Sequence, residues 1–162
     1  MVRPRSYAIL LCAFLPMAAW AQQAEVAFGG LRQDTTLPVE VKADSLAINQ
    51  ADGTATFTGN VLVGQGEMRL AARTVRVEYA EGGKAIARLH ATGDVTLASA
   101  TDAAEADAAI YTVETGTVVM TGNVLLTQGQ SAISGEKLLI DLKAGTGRME
   151  GGVSTIFVPG GN

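Results

Sequence analysis

Few residues of this chain are equipped for chemistry, and their spacing does not assemble them. His90 is the sole histidine. It alternates with Leu89 and Ala91, which predicts a place on a strand face. One imidazole with no cysteine partner forms neither a metal site nor an oriented general base. Asp102, Glu105 and Asp107 are a local run of carboxylates. They lack the Asp-x-Asp-x-Asp-Gly spacing that wraps a calcium ion, so a solvated acidic face is expected. Gly82-Gly83 is followed by Lys84-Ala85 rather than Lys-Ser or Lys-Thr, which excludes a phosphate loop. No Ser/His/Asp arrangement stands out. We expect no catalytic residue, no metal ligand and no cofactor, and therefore no enzyme.

The lone cysteine, Cys12, falls in an N-terminal segment with the marks of an export signal. Arg3 and Arg5 precede an apolar run, Tyr7 to Met17, interrupted only by Pro16. Ala19-Trp20-Ala21 then fits the small-x-small cleavage rule. The run is shorter than the ~20 apolar residues a membrane-spanning helix needs. Residues 1–21 are thus predicted to be a signal peptide cleaved before Gln22, with a retained anchor as the alternative. Ile9-Leu10-Leu11 before Cys12 lacks the small residue that a lipoprotein cysteine requires. Cleavage leaves 141 residues, enough for one domain with a modest core. It removes Arg3 and Arg5, so 12 basic residues become 10 against 16 acidic ones and the net charge moves from −4 to −6. An acidic chain with no basic cluster excludes nucleic acid as a partner. Export predicts a periplasmic location.

The body of the chain alternates with period two. Ala55 and Phe57 face away from Thr54, Thr56 and Thr58. Val75, Val77 and Tyr79 alternate with Thr74, Arg76 and Glu78, and Leu138, Ile140 and Leu142 with Leu139 and Asp141. Strands with one apolar face follow. Ala103–Ala109 is the one ambiguous stretch. Pro38 and Pro159 bracket the patterned region. No proline interrupts it, which suits a continuous ladder. Two phrases repeat inside it. Thr58-Gly59-Asn60-Val61 returns as Thr92-Gly93-Asp94-Val95, Thr121-Gly122-Asn123-Val124 and Glu150-Gly151-Gly152-Val153. The glycines are 34, 29 and 29 residues apart. Ala43-Asp44-Ser45-Leu46 returns as Ala72-Arg73-Thr74-Val75, Ala106-Asp107-Ala108-Ala109 and Gly135-Glu136-Lys137-Leu138, at steps of 29, 34 and 29. The five extra residues fall near Ala80–Lys84, a lengthened hairpin tip. Stacked β-units of roughly 30 residues explain both phrases. Glycine followed by asparagine or aspartate tolerates positive φ and so marks a turn or bulge, a structural role.

At these residues the chain resembles a known family. Pro38-Val39-Glu40-Val41, Ala43-Asp44-Ser45-Leu46 and Thr56-Phe57-Thr58-Gly59-Asn60-Val61-Leu62-Val63 with Gln65-Gly66 are similar to the OstA-like domain of lipopolysaccharide transport. Val118-Val119-Met120-Thr121-Gly122-Asn123-Val124 with Gln128-Gly129 is similar to that family's second signature. The resemblance covers roughly 38–158. It implies an all-β fold, an open twisted antiparallel β-jellyroll with an apolar groove for the acyl chains of lipid A. Among family members it points to the free periplasmic bridge, the LptA-like type, given the cleavable signal and the stop at Asn162. The longer polar tail of some relatives is missing after Val158-Pro159. The implied partners are lipopolysaccharide, an inner-membrane-anchored component and an outer-membrane barrel component. The expected organisation is a signal at 1–21, a flexible segment at 22–37, the jellyroll at 38–158 and a tail at 159–162.

The candidate lipid-lining residues are Val39, Val41, Phe57, Leu70, Val77, Leu97, Tyr111, Val113, Met120, Leu138 and Ile140. The resemblance implies lipid contact at Val39, Val41, Tyr111 and Val113. For each residue the alternative is plain core, because inward side chains of small β-folds normally fill space. Unpaired edges are expected near Val39 and Val41 and near Val153, Ile156 and Val158. Joining them end to end predicts head-to-tail self-association. Two other classes stay open: a non-catalytic structural β-solenoid or interaction module, and a small outer-membrane barrel. The second would need aromatic girdles. Only Phe28, Phe57, Tyr79, Tyr111 and Phe157 remain after cleavage to supply them.

Overall fold

The computed structural model describes residues 24–27 and 29–158. The expected signal peptide and C-terminal tail lie outside them. Eleven strands follow in order: β1 (Ala24–Ala27), β2 (Glu40–Lys42), β3 (Ser45–Asn49), β4 (Thr54–Gln65), β5 (Met68–Tyr79), β6 (Ile86–Ala98), β7 (Asp102–Thr112), β8 (Thr117–Gln128), β9 (Ser131–Asp141), β10 (Thr146–Glu150) and β11 (Ser154–Ile156). The strands form one antiparallel sheet, ordered β1-β10-β9-β8-β7-β6-β5-β4-β2, with β3 beside β4 and β11 beside β9. The ambiguous alanine stretch is strand, part of β7. Six residues between β5 and β6 form the lengthened tip, closed by Ala80 N donating to Ala85 O at 2.8 Å.

β4, β6 and β8 bend in the middle, where the Gly-Asn or Gly-Asp phrase falls. The pairing slips by one residue between Thr58 and Val61, between Thr92 and Val95, and between Thr121 and Val124. There Gly59 and Asn60 adopt φ of 83° and 47°, and Gly93-Asp94 and Gly122-Asn123 repeat those values within a degree. Two successive left-handed residues are strained for any side chain except glycine, asparagine and aspartate. Opposite each bulge lies the other phrase. Asp44 packs on Gly59 and receives Asn60 Nδ2 at 2.8 Å; Asp107 packs on Gly122 and receives Asn123 Nδ2 at 2.9 Å. In the second unit donor and acceptor change places, and Arg73 meets Asp94 as an ion pair. The two phrases are therefore one clamp, and it pins the bend.

The bends align across the sheet and fold it into two layers around one core. The first layer holds β3, β10, β1 and one half of each long strand. The second holds β2, β11 and the other halves. Inward rows run across each layer. One reads Leu46, Phe57, Val75, Ala91, Ala109, Met120, Leu138, Met149; another reads Val41, Val63, Leu70, Leu97, Ala104, Leu126, Ile133. Most are almost fully enclosed and belong to one continuous apolar cluster.

Candidate functional site

The interior between the layers is where the candidate lipid-lining residues lie. Leu70, Val77, Leu97, Tyr111, Met120, Leu138 and Ile140 are fully buried. Val39, Val41, Phe57 and Val113 are partly buried and pack against the same cluster. All eleven share the inward face. An open trough is expected from the sequence, but the side chains fill the described interior as they do in small barrels. The surface cleft beside β2, about 300 Å³, lies on the outer face, against Leu37, Pro38, Leu62 and Arg69.

A buried polar pair ties the two layers across the core. Tyr111, 1% exposed, donates its hydroxyl to Gln65 Oε1 at 2.6 Å. Gln65 Nε2 donates to the carbonyls of Thr35 and Leu37 at 3.0 and 2.8 Å. Both amide hydrogens and the amide oxygen are thus engaged, which a buried side chain of this kind requires. Burial pushes the Tyr111 phenol up to about 12, because the ionised form would lose its water.

Those carbonyls belong to a strap that sequence reasoning placed in a flexible segment. The described part of 22–37 is instead packed. A 3-10 turn, Gly29–Leu31, leads into it. Leu31 is 0% exposed. Gln33 spans both layers: its N–H donates to Leu142 O at 2.9 Å, and its Oε1 accepts from Glu67 N–H at 3.3 Å. The strap therefore closes the side of the roll opposite the bend. Its polar composition hides this, since within 29–37 only Leu31 and Leu37 are large and apolar. Gln65-Gly66 was legible as a signature, but not as the strap's anchor.

Asp102 departs from the expected acidic face. It is buried, with the inward parity of Ala104 and Ala106, whereas Glu105 and Asp107 are exposed. Gly30 of the strap packs against it. Among the described residues, no three His, Cys, Asp or Glu side chains gather as a metal site. His90 lies on the outer face of β6, opposite Arg76, with Nε2 at 3.0 Å from Glu78 Oε1.

The two ends of the roll differ. At one end the edge strand is split into β2 and β3. Val39 and Val41 stay partly buried there, and Leu46 and Ile48 are 51% and 68% exposed. Their register partners Phe57 and Ala55 face inward, so Leu46 and Ile48 do too. These two form an apolar mouth that sequence reasoning did not single out. At the other end β11 carries the expected edge. Val153 packs on the core, while Ile156 and Val158 are exposed beside Phe157. The neighbouring strand β10 is not bare, because β1 covers it.

A bent antiparallel sheet with an apolar interior, two unlike ends and polar outward rows is an open β-jellyroll. The chain belongs to the family described as LptA/(LptD N-terminal domain) LPS transport protein, whose model matches residues 40–146. It is 28% identical over 141 residues to an uncharacterized protein of Rhizobium meliloti (strain 1021), covering 82% of this chain and 76% of that one. Its fold matches the crystal structure of LptH, the LptA-homologous periplasmic component of the lipopolysaccharide transport device of Pseudomonas aeruginosa. The TM-score is 0.70 at 20% identity, over 78% of this chain and 99% of that chain.

Proposed function

We propose that this chain is a non-enzymatic periplasmic carrier that shields the acyl chains of lipid A between the two layers of its roll. In this reading it passes lipopolysaccharide from the inner to the outer membrane and docks end to end with like-folded partners, one anchored in the inner membrane and one continuing into an outer-membrane barrel. Export by a signal at 1–21 brings it to the periplasm. The carrying observation is the mouth at β2 and β3, where inward-facing Leu46 and Ile48 remain half or more exposed and pair with Phe57 and Ala55 at the border of the apolar cluster. Each exposed CH₂ of an acyl chain costs about 0.8 kcal/mol in water. An apolar surface that opens at a protein's end relieves that cost while the sugars stay wet. Because the interior is filled, entry requires the layers to part around Val39, Val41 and Phe57, with the deeper residues from Leu70 to Ile140 yielding in turn.

Native mass spectrometry with and without lipopolysaccharide tests the binding. A photo-crosslinking residue at Phe57 or Val113 should capture the lipid, and one at Thr56 or Thr112 should not, since adjacent strand residues face opposite ways. No mass shift, or equal capture at both parities, rejects the shielded-interior reading in favour of a structural β-module. The barrel alternative is disfavoured by the outward rows, which carry Arg76, Arg88, Lys137 and Glu150 where a membrane barrel needs an apolar band.

A further inference from the structure

We propose that β1 is a placeholder strand: it occupies, within the chain, the slot that β3 of a second copy fills when two copies stack head to tail. This rests on the end-to-end association proposed above. Every neighbouring pair from β3 through β4, β5, β6, β7, β8 and β9 to β10 is antiparallel, so β10 runs in the sense of β4 and opposite to β3. A second copy added in the same orientation therefore brings its β3 against β10 in the antiparallel sense. That is the sense in which β1 already lies there.

The repeat also supplies the register. Where one unit follows another inside the chain, Phe57 pairs with Val75 and Thr58 with Thr74 before the bulge, and Val61 with Ala72 after it. Gly59 corresponds to Gly151, and Arg73 to Asp44. Carried over to the joint, Met149 faces Leu46 of the second copy, Gly147 faces its Ile48, and Val153 faces its Ala43. The one-residue slip falls at Gly151-Gly152, where both glycines are left-handed as in the internal bulges. In the chain as it stands, Ala24 pairs with Met149 and Val26 with Gly147. The short Ala-x-Val of β1 thus holds the register positions of Leu46-x-Ile48. Exchange replaces small residues by larger ones and covers two side chains that are exposed at the other end.

The other half of the joint is already vacant. Among the described residues no strand lies outside β11, and none lies outside β2 or β3. With β1 in place, only the three residues of β11 are open to a partner; with β1 displaced, the five of β10 join them. Head-to-tail growth is thereby limited by a strand that belongs to the chain itself.

Single-cysteine variants Ala47→Cys and Arg148→Cys, mixed and oxidised, report the joint. Residues 47 and 148 face each other in the inferred register, and 148 faces Glu25 in the free chain. The test uses the chain from residue 22 onward, in which Cys12 is absent. We expect a mixed disulfide dimer whose yield rises several-fold when Val26→Pro disrupts β1. A Glu25→Cys/Arg148→Cys chain, locked by its own disulfide, should show weaker association by light scattering across a concentration series. Association that is equal in the parent, Val26→Pro and locked chains overturns the placeholder role and leaves end-to-end stacking standing. Association with no 47–148 disulfide in any background overturns the register. No association in any variant at any concentration removes the stacking itself, and the placeholder with it.

Discussion

Replacing Tyr111 by phenylalanine isolates its buried polar bond across the core. The ring stays and only the hydroxyl goes. What remains is Gln65 Oε1, buried and stripped of its donor, with Gln65 Nε2 still held by the Thr35 and Leu37 carbonyls. A buried acceptor left without a partner costs about 1–3 kcal/mol. For a domain of this size that corresponds to a Tm lower by about 4–12 °C. The pH dependence supplies a second, independent check. The folded-state phenol titrates near 12 and the unfolded one near 10, so below pH 10 both states keep the proton. Between pH 10 and 12 only the unfolded chain releases it, and the native state loses stability as pH rises. Phenylalanine has no such proton. The deficit of Tyr111→Phe at pH 8 should therefore shrink as pH approaches 12. Urea unfolding followed by circular dichroism at both ends of that range measures it. A deficit under about 0.5 kcal/mol at pH 8, below the cost of an orphaned buried acceptor, refutes the cross-layer bond. A deficit that is constant to pH 11.5 refutes the raised phenol.

Further outcomes follow from other parts of the roll. Gly122→Ala should destabilise by about 2 kcal/mol or more, because a left-handed alanine is strained and its methyl would meet Asp107. Gly53→Ala, equally left-handed but with open space around it, should lose only the backbone part of that; urea midpoints compare the two. Leu31→Ala should cost about 2–5 kcal/mol, the range for emptying a fully buried leucine site, read in the same unfolding experiment. Ile156→Pro should weaken association without lowering the urea midpoint by much, because β11 is an exposed edge; scattering intensity against concentration decides it.

Much of the fold was legible because it is local and periodic. Alternation alone assigns the faces of Val75, Val77, Leu138 and Ile140, and the burial of each agrees. The repeat of Gly-Asn phrases locates every bend, because only a few residue types accept two successive left-handed conformations. The spacing of the second phrase records the same unit, and the exchange of donor and acceptor at Arg73 and Asp94 is already written in the two phrases. Tertiary structure alone decided the rest. Nothing local says that Asp44 touches Gly59, that Gln65 meets Tyr111 across 46 positions, or that Leu31 enters the core from a polar segment. Parity assigns Asp102 to the inward face only once the strand's start is known, and the acidic neighbours conceal it. Whether inward residues fill a core or line an open trough depends on the distance between layers, which period-two patterning does not encode. The cover that β1 places over β10 likewise joins the two ends of the chain, where sequence separation is greatest and composition carries no trace of the pairing.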